Sequence, residues 1–134
     1  MKSKNILIVI CTSGLLAVVL GAFGAHGLKP HLSPYQQVIY EKGVSYQFYH
    51  TLAAFLACVL YEVRQLRYLL TAAVLFLIGI LFFSGSLYIL ATADLTGFPL
   101  KLAGPVTPIG GLFFIAGWAT LIFAVVKNSQ VSDK

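Results

Sequence analysis

Charged residues punctuate this chain at long intervals, and the windows between them are almost wholly apolar. Residues 5–28 lie between Lys4 and Lys29, 43–61 between Lys42 and Glu62, 68–93 between Arg67 and Asp94, and 102–126 between Lys101 and Lys127. Each window is near or above the ~20 residues that a helix needs to cross a hydrocarbon layer about 30 Å thick. The pattern predicts four transmembrane helices, over about 5–26, 43–62, 68–93 and 105–127. The second window is the shortest, and Tyr40 and Tyr61 flank it as interfacial aromatics are expected to do. The brief connection from Glu62 to Arg67 predicts a tight antiparallel hairpin of helices two and three.

Between the first two windows, Ser33-Pro34 is a helix-start signal, and Leu32, Tyr35, Val38 and Ile39 recur at helical spacing with Gln36, Gln37 and Glu41 on other faces. A short amphipathic helix at the membrane surface is expected there, with continuity into the second helix left open. The fold class is therefore an all-α integral membrane bundle of four transmembrane helices with a short interfacial helix between helices one and two. Residues 1–134 read as one membrane domain without internal repeats, and Met1–Asn5 and Asn128–Lys134 read as disordered ends.

Composition supports lipid as the missing solvent. Charged residues make up 10% of the chain, against about 25% in ordinary globular domains, and hydrophobic residues reach 59%. A soluble domain of 134 residues could not hide that much apolar surface in one core. The net charge of +5 is spread in ones and twos between apolar runs, so it forms no basic face for nucleic acid. It reports topology instead. Lys2, Lys4, Arg64, Arg67, Lys127 and Lys134 fall on one side, and Lys29, Lys42 and Lys101 on the other, which favours both termini in the cytoplasm. A cleaved signal peptide competes for the first segment, because Lys2 and Lys4 precede it and Ala22-Phe23-Gly24 resembles a cleavage site. The apolar stretch from Ile6 to Ala25 is long for such a peptide, so retention is expected. Cys11 and Cys58 both sit in apolar runs, where cysteine acts as a small hydrophobe.

Small and polar residues are not scattered at random within the spans. Ala17, Gly21 and Ala25 are spaced four apart, a line that lets a neighbouring helix approach closely. Gly43, Gln47, His50, Ala54 and Ala57 share one stripe of the second helix, which should look into protein. The third helix contributes Gly79, Ser84, Gly85 and Ser86, and Thr107-Pro108 reads as a cap followed by the first helical residue of the fourth. By these positions the polar groups gather in the outer half of the membrane.

Four ordered motifs, GAFGAHGL, YEKGVSYQFYHTLA, FSGSLYIL and GPVTPIGGLFFIAGW, together resemble the YgdD-like family, also called the transmembrane protein 256 family. The resemblance covers nearly the whole chain. It implies a small multi-span protein of the bacterial inner membrane or of mitochondria, and it implies no activity.

The residues themselves offer one candidate constellation. If helices one and two pack through their small-residue stripes, His26, Gln47 and His50 converge beneath the interfacial helix, with Tyr46 beside them and Ser86 reaching across from helix three. Two readings stay open for it: hydrogen-bonded glue between helices, or a site for a ligand or ion. An imidazole there could also change charge in the physiological range. The spacings of His26, His31 and His50 match no metal or haem motif, so neither metal nor cofactor is expected. The SGS triplet has no acid or base partner beside it, which leaves catalysis the least favoured class. A structural or accessory membrane protein is favoured slightly over a transporter or channel subunit working as a homo-oligomer. The expected partners are the lipid bilayer and either further copies or another membrane protein.

Overall fold

The structure is a computed structural model that describes residues 3–99 and 103–132, the last five by backbone alone. Lys2, Lys101 and Lys134, on which part of the cation count rests, lie outside the described residues. Four stretches are long and apolar enough to cross a membrane: Ser3–His31, Pro34–Arg64, Arg67–Thr96 and Val106–Lys127.

The first stretch is α1 (Ser3–Phe23), which widens into a π-turn at Gly24–Leu28 and tightens into a 3₁₀ turn at Lys29–His31. Leu32 is extended, and Ser33 then caps α2 (Pro34–Arg64). The cap is reciprocal: Gln36 donates its backbone N–H to Ser33 Oγ at 3.3 Å, and Ser33 N–H donates to Gln36 Oε1 at 2.8 Å. The same Gln36 side chain donates through Nε2 to Asp94 at 2.7 Å, so the start of α2 is tied to the far end of the third span. Asp94 thus has an amide as its partner.

The interfacial helix is not a separate element. It runs without a break into α2, because nothing between Pro34 and Gly43 stops a helix and Gly43 is buried against Leu87 and Tyr88. At 1.5 Å per residue the 31-residue α2 is about 46 Å long. Tyr40, expected at the interface, is buried and donates its hydroxyl to Leu20 O at 2.9 Å.

The hairpin after α2 turns on Gln65, which takes the left-handed conformation at φ 54° and donates its N–H to Tyr61 O. The third span is α3 (Arg67–Gly79), a second π-turn at Ile80–Ser84, and α4 (Gly85–Thr96), closed by Gly97 at φ 71°. The last helix is α5 (Val106–Ser132). It begins one residue before Thr107, so Thr107 is not its cap and Pro108 falls inside the first turn, where a missing N–H does no harm. The ends expected to be disordered are helical over Ser3–Asn5 and Asn128–Ser132, since no glycine or proline interrupts either run.

Small residues set the core. Ala54 and Ala57 of α2 and Ala72 and Ala73 of α3 are fully buried, and Ile6 and Ile10 bring α1 onto the same cluster. On the other side of α3, Phe114 of α5 lies over Gly79 and Phe76 over Gly117, an exchange of rings for glycines. At Gly110 the approach is closer still, since a Cβ there would run into the backbone of Phe83 in the π-turn.

Candidate functional site

α2 carries the polar stripe, and it splits that stripe between two neighbours. On the side facing α1 and α4, Gln47 is 4% exposed. Its Nε2 donates to Ser13 O at 2.9 Å, and its Oε1 accepts from the Tyr88 hydroxyl at 2.7 Å. One turn along, Ser13 and Thr51 share a hydrogen bond of 2.8 Å. Tyr88 also leans on Tyr40, with ring centroids 5.0 Å apart. A buried amide in hydrocarbon must be met on both its ends. Here α1 meets one and α4 the other.

On the side facing α3 and α5, His50 is 7% exposed and boxed by aromatics. Its ring lies flat on Phe114, with centroids 3.5 Å apart and planes 9° from parallel, and Phe76 and Tyr46 complete the walls. Trp118 donates Nε1–H to His50 Nε2 at 3.4 Å. Because an indole can only donate, Nε2 accepts and Nδ1 carries the proton, which it gives to Tyr46 O at 2.8 Å. This is the wiring of a neutral imidazole. Tyr46 itself stacks on Phe83 and is partly exposed.

Ser86 makes a third link. Its Oγ donates to Phe83 O at 2.8 Å and, its one proton spent, accepts from Thr107 Oγ1 at 2.6 Å, joining α4 to α5. Ser84, fully buried in the π-turn, is the described side chain whose buried hydroxyl finds no partner.

The expected convergence therefore fails at its first member. His26 is exposed, and its side chain makes no hydrogen bond or ring contact among the described residues. It lies in the π-turn, five residues past Gly21 and nine past Ala17, and so on the far side of the helix from the face that those two present to α2. Ala25, third in that line, is exposed as well. Gln47 and His50 are both buried but serve different neighbours, and Ser86 meets neither. Sequence reading missed Tyr88, Thr51, Phe114 and Trp118. A tyrosine or tryptophan well inside an apolar span, with one polar atom to satisfy, is the signal that could have found the first and last.

Two cavities accompany these contacts. One of about 340 Å³ lies where the end of the first span meets the first turns of α2, lined by Gly21, Gly24, Lys29, Tyr40, Glu41 and Ser45. It holds none of the five expected site residues. The second, of about 520 Å³, is a cleft between α1 and the α3–α4 span with Gln47 and Tyr88 among its walls. No group of three His, Cys, Asp or Glu side chains suited to a metal occurs among the described residues.

The chain matches the family model described as "Protein of unknown function (DUF423)" over residues 20–111. It is 43% identical over 127 residues to a UPF0382 membrane protein of Staphylococcus haemolyticus, covering 95% of this chain and 98% of that one. It is 38% identical to the UPF0382 membrane protein YwdK of Bacillus subtilis over 92% of this chain and 98% of the relative. It is 36% identical to the UPF0382 inner membrane protein YgdD of Escherichia coli over 95% and 93%. No solved structure matches at a significant level. With a family model covering more than half the chain and relatives aligned almost end to end, the chain belongs to the DUF423 family, whose bacterial members are membrane proteins of unknown function.

Proposed function

We propose that this protein is a structural or accessory component of the inner (plasma) membrane, a single membrane unit with both termini in the cytoplasm, whose intramembrane polar residues fasten its helices to one another. The observation that carries this reading is how the buried polar side chains are used. Ser13 pairs with Thr51, Gln47 with Ser13 O and Tyr88, and Ser86 with Thr107, each across a helix boundary. Such bonds contribute about 0.6 kcal/mol each on average and up to about 1.7 kcal/mol. Below them the shared core of Ile6, Ile10, Ala53, Ala57 and Ala73 is apolar, which speaks against a hydrophilic route through one protomer. The cation distribution supports the orientation.

Purified protein in sealed liposomes loaded with proton-, potassium- and sodium-sensitive dyes tests the reading. Dissipation of each gradient at the rate of protein-free vesicles is expected. A faster flux that disappears in Gln47→Leu or His50→Phe would overturn it in favour of a transporter or channel.

A further inference from the structure

We propose that the cavity where the end of the first span meets the first turns of α2 is a binding site for the headgroup of phosphatidylethanolamine, with Lys29 on its phosphate and Glu41 on its ammonium. This goes beyond the fastening role, and either reading can fail without the other.

Charge is the first argument. Lys29 and Glu41 both line this cavity of about 340 Å³, and their side chains make no ion pair or hydrogen bond with each other or with another described residue. Two opposite charges on one cavity that do not meet each other fit an occupant that carries both signs itself. The fold holds their separation. Gln37 donates through its side-chain amide to Lys29 O at 3.1 Å and to Leu32 O at 3.0 Å, which pins the 3₁₀ turn onto α2, and Glu41 follows one turn along the same helix. An anionic headgroup without an amine would satisfy Lys29 but be repelled by Glu41.

Hydrogen-bonding capacity is the second. With its amide protons spent, Gln37 offers the cavity only its carbonyl oxygen, and the Glu41 carboxylate can only accept. The Tyr40 hydroxyl spends its proton on Leu20 O. Acceptors therefore predominate on the α2 wall. A primary ammonium brings three N–H donors to them, as a lysine does, whereas the trimethylammonium of choline brings none. Lys29 stands across from this wall as a point charge of the kind that binds phosphate.

Location is the third, and it makes the occupant a lipid. Glu41 is followed at helical spacing by Ser45, Phe48 and Leu52, and Ala25 on the facing wall is preceded in the same way by Ala22 and Val18. Phe48, Leu52 and Val18 are 40%, 53% and 62% exposed, all within stretches able to cross a membrane. The charged end of the cavity thus continues into two apolar, lipid-facing stripes. Acyl chains can lie along them while the headgroup stays between Lys29 and Glu41, an arrangement that a water-soluble zwitterion would leave unused.

Full-length protein in detergent is titrated with phosphatidylethanolamine, its mono- and dimethylated forms, phosphatidylcholine and phosphatidylglycerol, all with the same acyl chains, and bound lipid is counted by native mass spectrometry. Phosphatidylethanolamine should bind about tenfold more tightly than phosphatidylcholine or phosphatidylglycerol, with affinity falling as methyl groups are added. Glu41→Gln should erase that preference and Lys29→Gln should weaken binding about tenfold, while Lys42→Gln, outside the lining, should change neither. Lys29 and Glu41 are exposed, so melting temperatures should not move. Equal affinity for phosphatidylethanolamine and phosphatidylcholine, or a preference that survives Glu41→Gln, would overturn the proposal. Tighter binding of phosphatidylglycerol would also overturn it and leave a plain anion site at Lys29. Displacement of the lipid by water-soluble phosphoethanolamine at equal concentration would overturn the lipid as occupant. If a variant does not fold, the methylation series on the unaltered protein decides.

Discussion

The hydroxyl of Tyr88 lies 2.7 Å from Gln47 Oε1 and donates to it, so a residue of α4 completes the hydrogen bonding of an amide that α1 has half satisfied. Three helices meet at one side chain. Its removal from either end leaves a polar atom facing hydrocarbon, where no water substitutes.

Tyr88→Phe should therefore destabilise the bundle by about 0.5–2 kcal/mol, and Gln47→Leu by at least as much. In a double-mutant cycle the two should couple, because the second change removes the atom that the first has stranded. Reversible unfolding in detergent measures this. Additive losses would mean that the two groups do not bond.

Two glycines near the second π-turn, Gly110 of α5 and Gly85 at the start of α4, offer a sharper contrast. Gly110→Ala forces a methyl into the Phe83 backbone and should cost about 1–3 kcal/mol, the range for overpacking. Gly85→Ala meets open space and should cost nothing, with a gain of up to about 1 kcal/mol from helix propensity. Thermal melts of both variants check the pair. Equal melting temperatures would contradict the close approach of α5 to the π-turn.

On α1, Gly21→Leu should lower thermal stability, since even a Cβ at position 21 comes within 3.3 Å of Val44. Ala25→Leu should not, because Ala25 is exposed beyond the start of the π-turn. A matched loss at both positions would show that α1 keeps its face to α2 up to its end.

Orientation is checked by single cysteines at Ser3, Tyr35 and Gln65 in a background lacking Cys11 and Cys58. An impermeant maleimide added outside intact cells should label position 35 alone. Labelling at 65 from outside would reverse the assignment.

Much of the architecture was legible because its signals are local. The four spans follow from where charges are absent, and the start of α2 follows from Ser33-Pro34 with Gln36 three residues on, chemistry contained within one turn. The stripe of Gly43, Gln47, His50, Ala54 and Ala57 is buried as its spacing implies. What the stripe touches was not legible. Gln47 and His50 are three residues apart and share a face, yet one bonds Ser13 and Tyr88 while the other is held by Trp118, 68 residues away. Rotation and tilt of whole helices decide such partners, and those are fixed by packing at the fully buried alanines. The π-turns were invisible for a related reason: a search for a 3.6-residue period averages over a five-residue departure from it. His26 has a simpler account, since it follows Ala25 by one residue and so stands about 100° round the helix from the line of small residues.

The turn at Ile80–Ser84 holds one residue more than a regular helix would use over the same rise. It is in that sense a place where the chain stores slack. A version lacking Leu81, which is mostly exposed, could close to an ordinary helix there while Phe76 stays on Gly117 and Ser86 on Thr107. The same deletion a turn earlier, within α3, would swing everything beyond it by about 100° and part Tyr88 from Gln47. Length change in this span is therefore cheap at one address and ruinous next door.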